Sequence, residues 1–332
     1  MVSRLINLVI ILSSYFLSRL LHKAIHWGKP ASISIEPTNY CNLHCPECPS
    51  GMNLLTRDRG NLDFEMVQDL LDQLSFSLLY INFYFQGEPY INPRFLEMVR
   101  YAKSKRIYVA TSTNGHFLTP ENVRSTIESG IDKLIISLDG TDAEIYEQYR
   151  AGGNFDKVIT GIKEIVKQKK AAGSTRPRIV IQFLILKSNE HQINQIRHLG
   201  KDLGVNHVEL KTAQFCEFKE GNPLMPDDQR FSRYKKIQEN QADPARFEIR
   251  NRMPNHCFRM WSSCVVTWDG EVVPCCFDKD ATYKMGNLNN HSFGQIWKNK
   301  SYYEFREKIF QSRKSIDICT NCTEGTGITY FL

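Results

Sequence analysis

Cys41, Cys45 and Cys48 form a C-x3-C-x2-C run within the stretch Glu36-Pro37-Thr38-Asn39-Tyr40-Cys41-Asn42-Leu43-His44-Cys45-Pro46-Glu47-Cys48. Three thiolates at this spacing are a metal-ligand set, one short of the four protein ligands that close a structural zinc site. A [4Fe–4S] cluster on three cysteines leaves one iron open to another ligand, and chemistry can take place there. The chain holds ten cysteines, too many to be incidental. Disulfides are the default only in small secreted chains, so metal or cluster binding in a reducing compartment is the better expectation.

These cysteines need a scaffold, and the rest of the chain supplies its pattern. At 332 residues, 42% hydrophobic and 23% charged, it can bury a large core. The net charge of +6 comes with no basic stretch interleaved with aromatics, so nucleic acid is not an expected partner. The densest basic run, Lys163 to Arg178, reads as a helix end followed by a loop.

After Pro30, short apolar runs alternate with helical periods. Strands are expected at residues 32–36, 78–85, 107–113, 133–138, 178–186 and 207–211. Helices are expected at 64–74 with Asp63 as N-cap, 93–104, from Thr119-Pro120 onward, 156–170 and 190–203. Six strands alternating with helices imply a parallel sheet with right-handed crossovers, and functional loops at the C-terminal ends of the strands. The cysteine loop follows the first strand, Gln86-Gly87-Glu88-Pro89 the second, Asn114-Gly115 the third and Asp139-Gly140 the fourth, so every candidate motif falls on one rim. Residues 213–256, polar and with four prolines, read as a connection. Residues 265–273 read as a hairpin turning at Asp269-Gly270, and 292–311 as a helix.

Residues 1–29 contain Arg4, Arg19, Lys23 and Lys29 and no acid. Residues 5–21 are mostly apolar, but the run is interrupted and falls short of the roughly 20 apolar residues of a membrane span. Arg4, Asn7, Ser14, Ser18 and His22 share one helical stripe. Such a helix either lies in a membrane interface or packs against the base of the main domain. No small-residue cleavage site follows it, which argues against a signal peptide. The expected location is cytoplasmic, with a peripheral contact at the inner membrane face through residues 1–28.

The Cys41/Cys45/Cys48 run after a first strand, with Gly87-Glu88-Pro89 after the second, resembles the radical S-adenosylmethionine (SAM) superfamily over residues 31–212. The resemblance implies a partial (β/α)6 TIM-like barrel holding a [4Fe–4S] cluster whose open iron chelates SAM. Reductive cleavage of SAM then yields a 5′-deoxyadenosyl radical that takes a hydrogen atom from substrate. It further implies that Gly87, Glu88 and Pro89 border the SAM amino group, that Ser137 and Arg150 face its ribose or carboxylate, and that Asn114, Asp139 and Gln182 are weaker rim candidates. Two positions depart from the pattern. Glu47 stands where an aromatic usually precedes the third cysteine, and Gln86-Gly87 replaces the usual Gly-Gly.

The C-terminal cysteines resemble the auxiliary-cluster domain called SPASM, or its shortened form, the twitch. In that pattern Cys257, Cys275, Cys319 and Cys322 hold a second [4Fe–4S] cluster. A four-cysteine zinc site has the same spacing, and Cys264 or Cys276 could replace a neighbour in the tetrad. The expected organisation is an N-terminal helix over 1–30, the barrel over 31–212, a connection over 213–256 and an auxiliary-cluster domain of hairpin plus helix over 257–332.

The expected activity is an oxidative modification in which the auxiliary cluster accepts the substrate electron and a flavodoxin or ferredoxin-type protein supplies the first one. A ribosomal-peptide maturase or an epimerase, with Cys216, Cys264 or Cys276 as hydrogen donor, is the alternative enzyme. A non-catalytic cluster or SAM-binding protein is the alternative of another class. The substrate could be a small molecule, a glycan or lipid-linked precursor, or a peptide.

Overall fold

The computed structural model describes residues 1–237 and 246–323. Helix α1 (Val2–Leu21) precedes six strands: β1 (Ser32–Ile35), β2 (Tyr80–Asn82), β3 (Tyr108–Thr113), β4 (Lys133–Ser137), β5 (Arg178–Ile185) and β6 (His207–Thr212). They pair in parallel and in sequence order. The crossovers carry α2 (Phe64–Leu74), α3 (Phe95–Ser104), α4 (Pro120–Glu128), α5 (Ala143–Tyr149), α6 (Phe155–Ala171) and α7 (Ile193–Asp202). This is the expected partial (β/α)6 barrel.

Side-chain alternation sets the two faces of the sheet. The register aligns Ile33 with Ile81 and Val109, all buried in one apolar cluster with α2 and α3. Ile136 and Ile181 do the same beneath α4 and α6. The intervening residues, among them Ser34, Asn82, Ser137 and Gln182, give the opposite face a polar row. Burial of the isoleucine rows drives the fold, at about 25 cal/mol per Å² of apolar area.

Local signals explain most boundaries. Thr119 caps α4 through Asn122 N–H, with Pro120 at its first turn. Asp63 occupies the N-cap of α2, although its side chain makes no capping hydrogen bond. The expected strand over 78–85 shortens to Tyr80–Asn82, because the chain then bends toward Gly87. The single helix expected over 292–311 is two, α9 (Phe293–Trp297) and α10 (Lys300–Ser312). Asn299 starts the second by accepting from Tyr302 N–H. Helix α5 was not foreseen; Asp142 nucleates it by accepting from Ile145 N–H at 2.9 Å.

The 213–256 region is more structured than expected, with an antiparallel pair β7 (Tyr234–Ile237) and β8 (Arg246–Ile249). Beyond it come α8 (Arg259–Ser262), β9 (Ser263–Val266), β10 (Glu271–Val273) and β11 (Gly286–Asn287), then α9, α10 and α11 (Asp317–Thr320). The hairpin turns at Gly270, whose φ of 81° suits glycine. Strand β9 pairs in parallel with β1, while β10 and β11 add antiparallel strands. The result is one nine-stranded sheet in the order β11-β10-β9-β1-β2-β3-β4-β5-β6 among the described residues.

Candidate active site

The cysteine loop leaves β1 at Glu36, whose fully buried carboxylate pairs with Arg57 at 2.5 Å and accepts from Trp268 N–H at 3.1 Å. One ion pair thus ties the start of the loop, its return and the C-terminal hairpin together. Within the loop, Met52 N–H donates to the Cys48 carbonyl. A Cβ on Gly51 would lie 2.7 Å from Cys45 N, so only glycine fits there. Glu47 has φ +66°, and its carboxylate accepts from Cys216 N–H at 2.6 Å and Asn222 Nδ2 at 2.8 Å. The departure from the family pattern at Glu47 is therefore a tie between the cysteine loop and the 213–256 connection.

The second loop crosses the first at Gly87. A Cβ there would stand 2.5 Å from the Thr38 carbonyl and 2.6 Å from that of Tyr40, at a φ of +72°. Glu88 N–H donates to the Tyr40 carbonyl at 2.8 Å. The buried Glu88 carboxylate accepts from Thr113 Oγ1 at 2.8 Å, Asn114 N–H at 2.7 Å and Tyr90 N–H at 3.3 Å. Burial pushes its pKa up to about 7, against the pull of those donors. Pro89 opens a short 3-10 turn, Pro89–Ile91. Glycine for close approach and glutamate for cross-linking thus join three rim loops.

A cavity of about 120 Å³ lies under these loops, lined by Cys41, Cys45, Cys48, Gly87, Glu88, Asn114, Ser137 and Arg150. Pro89, Asp139 and Gln182 lie outside its lining. Asp139 instead holds Arg150, accepting from its Nε at 2.6 Å and from Leu184 N–H at the same distance. This pairing aims Arg150 Nη1 at Cys45 Sγ, 3.8 Å away. Asn114 Nδ2 donates to Asn42 Oδ1 at 2.8 Å and stands 3.9 Å from Cys41 Sγ. Gln182 accepts from Lys211 on β6. Tyr84 and Phe85, which also line the cavity, carried no sequence signal beyond their place after β2.

The second cysteine group surrounds Arg313, a residue with no sequence motif. Its Nη2 donates to Cys322 Sγ at 3.4 Å, and Nη1 donates to the His256 carbonyl. Burial lowers its pKa, but Cys257, Cys322 and Cys319 outweigh that and raise it. Cys275 lines a cavity of about 290 Å³ together with Ser34, Asn82 and Cys276, so the inner barrel face meets the C-terminal strands there. Cys264 is buried beside Tyr302 and Arg306, and Cys216 is exposed.

Both groups suit iron–sulfur clusters in donor chemistry. Burial pushes the Cys41 thiol up to about 11 and also raises Cys45, Cys275 and Cys319. Thiolates in such places need compensating positive charge, which iron and the neighbouring Arg150 and Arg313 would supply.

Comparison with known proteins gives the same picture. Residues 35–199 match the family model of the radical SAM superfamily, and residues 257–323 match SPASM, an iron–sulfur cluster-binding domain. A cofactor-modifying protein of a tungsten-containing aldehyde ferredoxin oxidoreductase from Pyrococcus furiosus is 26% identical over 87% of this chain and 86% of its own length. Mycofactocin maturase MftC from Mycobacterium tuberculosis is 27% identical over 88% of this chain and 75% of its own. Among solved structures, SuiB of Streptococcus suis bound to S-adenosylmethionine overlays with a TM-score of 0.63 at 16% identity, covering 91% of this chain and 73% of that one. BtrN in complex with AdoMet and 2-DOIA gives a TM-score of 0.54 at 21% identity over 90% and 94%. These overlays establish the fold. The two domain matches identify the cofactors as SAM with a [4Fe–4S] cluster in the barrel and an auxiliary cluster beyond it, and the chain belongs to the radical SAM superfamily as an enzyme with a C-terminal SPASM-type domain.

Proposed function

We propose that this enzyme oxidises a peptide substrate, with Cys41, Cys45 and Cys48 holding the SAM-binding cluster and Cys257, Cys275, Cys319 and Cys322 holding the auxiliary one. Bound there, the first cluster with SAM supplies a 5′-deoxyadenosyl radical, and the second supplies a sink for the electron left on the substrate. The net change is the loss of two hydrogens. The observation that supports this reading is the pairing of β9 with β1, which joins the C-terminal hairpin, with Cys275 just past β10, to the sheet whose first loop bears Cys41.

The residues of the chain divide the remaining work. Gly87, Glu88, Pro89 and Ser137 shape the SAM seat; Asn114 and Arg150 direct N–H groups at the cysteine sulfurs. Asp139 keeps Arg150 charged and oriented, and Gln182 belongs to the polar inner wall. That wall, with Ser34 and Asn82, suits a hydrogen-bonding substrate such as a peptide backbone, and MftC is named as a maturase. The working division is the helix over 1–30, barrel over 31–212, connection over 213–256 and auxiliary domain over 257–332, served by a flavodoxin or ferredoxin-type donor in the cytoplasm. The 290 Å³ cavity, lined by both Cys264 and Cys276, favours these two over the exposed Cys216 as hydrogen donor, should the reaction be an epimerisation.

The test is anaerobic reconstitution, reduction with dithionite and an assay for 5′-deoxyadenosine, with any short peptide found encoded beside the gene as candidate substrate. The expected results are nucleoside release that Cys41→Ala abolishes, and a peptide lighter by two hydrogens. A peptide of unchanged mass with one inverted centre supports the epimerase; no nucleoside from the wild type overturns both.

A further inference from the structure

We propose that the exposed apolar face of α1 docks this enzyme flat on an anionic lipid bilayer, with the cysteine rim turned away from the lipid. This extends the peripheral contact expected from residues 1–28 to a binding face and an orientation, and the docking itself does not depend on the catalytic reading.

A surface helix of a soluble protein turns its apolar stripe to the core and its polar stripe to water. Helix α1 buries only Ile11 and Tyr15 of its apolar residues, on the same stripe as its polar ones, and leaves most of the rest outside. Arg4 donates to the Ser75 carbonyl at 3.1 and 2.9 Å and to the carbonyls of Lys105 and Arg106, both at 2.6 Å. Asn7 exchanges two hydrogen bonds with Lys29. Ser14 and Ser18 are fully buried, and Tyr15 Oη meets His256 Nδ1 at 2.9 Å. The opposite face presents Leu5, Ile6, Val9, Phe16 and Leu20, each between 51% and 77% exposed. Phe76, next to the Ser75 carbonyl that holds Arg4, is 76% exposed, and Trp27 is 49% exposed. The apolar surface therefore extends beyond the helix onto the base of the barrel.

Charge selects lipid as the occupant. The exposed residues Arg19, Lys23 and Lys29 flank the face, Arg106 is exposed at its other end, and residues 1–29 contain no acid. Basic residues around an apolar helix face are the composition that binds anionic interfaces. The helix is pinned from Arg4 to Ser18, so it lies along the surface and does not cross.

Topology then fixes the orientation. Ser75 and Lys105–Arg106 lie in the turns before β2 and β3, Lys29 lies just before β1, and His256 precedes β9. The helix covers the N-terminal edge of the sheet, whereas Cys41, Gly87 and Asn114 follow the strands at the other edge. A docked enzyme takes its substrate from solvent, which argues against the lipid-linked substrate considered from the sequence.

The experiment is flotation of the reconstituted full chain with phosphatidylcholine vesicles, with and without phosphatidylserine, at low and high salt. Partition at least about tenfold stronger with phosphatidylserine and weakened by salt is expected, and Ile6→Asp/Phe16→Asp should abolish it while circular dichroism and SAM cleavage stay unchanged. Brominated lipid should quench a fluorescence component that Trp27→Phe removes, which gives a second readout in the intact helix. Absence of wild-type partition overturns the proposal, as does partition that survives the double substitution. A concentration-dependent dimer by light scattering that the same substitutions dissociate also overturns it, because the face is then an interface between copies.

Discussion

The two cysteine groups use the same donor atoms in opposite settings. The barrel group hangs on a loop between strand and helix, leans on a cavity, and has Arg150 held beside it by a fully buried aspartate. The C-terminal group sets Cys257, Cys319 and Cys322, from two stretches of the chain, beside Arg313, whose other contacts include a backbone carbonyl. Under the proposed ligand sets, three cysteines leave one iron open to a reactant, whereas four cysteines close the cluster with protein ligands. The difference teaches that, on the proposed ligand sets, ligand count is what would divide reaction from electron storage, although the sulfur chemistry is shared.

Removing cysteines tests this most severely. Cys41→Ala should abolish 5′-deoxyadenosine formation, whereas Cys319→Ala/Cys322→Ala should retain it and lose the oxidised product. Each variant should hold about four irons per chain against about eight in the wild type, one four-iron cluster per site. Zinc in place of the second four irons would break the comparison.

The arginines come next. Arg150→Met strands the buried Asp139 carboxylate and should cost about 3–5 kcal/mol, as breaking a buried pair does, read by denaturant melts. Asp139→Asn combined with it should recover part of that loss. Arg313→Met should leave SAM cleavage intact and shift only the reduction potential of the auxiliary cluster. Equal stability losses for the two single variants would erase the distinction drawn here.

The smallest effect concerns pH. Burial, aided by Arg306, lowers the pKa of His26 from 6.5 to about 3, and the ring sits against Trp261 and Trp297 of the C-terminal region. The unfolded chain binds a proton between those values that the folded chain refuses. The contribution is fully present above pH 6.5 and falls as pH drops toward about 3, at up to about 1.4 kcal/mol per pH unit. Thermal melts from about pH 7.5 to 5.5 should show a shallower decline in His26→Gln; parallel declines would refute the assignment.

Much of this site was legible in the sequence because short-range spacing encodes it. Ligand sets, the glycine at a loop crossing and the alternation of strands and helices are all local patterns, and they placed Cys41, Gly87 and Asn114 on one rim. Glu47 was legible only as a departure; its bonds to Cys216 and Asn222 come from residues about 170 positions away. Helix α5 and the β7–β8 pair escaped notice because polar segments leave little periodicity.

By itself the sequence determined the radical SAM barrel, the two cysteine groups and the amphipathic character of residues 1–28, since each rests on residue type at fixed separation. Tertiary structure alone decided that Asp139 aims Arg150 at Cys45, that Arg313 sits among the C-terminal cysteines, that β9 pairs with β1, and that α1 turns its polar stripe inward. An arginine or a strand edge has no partner until folding brings distant chain together, and the same polar stripe can face water or bury itself. Packing makes that choice, because only in the folded chain do the carbonyls of Ser75, Lys105 and Arg106 converge on Arg4.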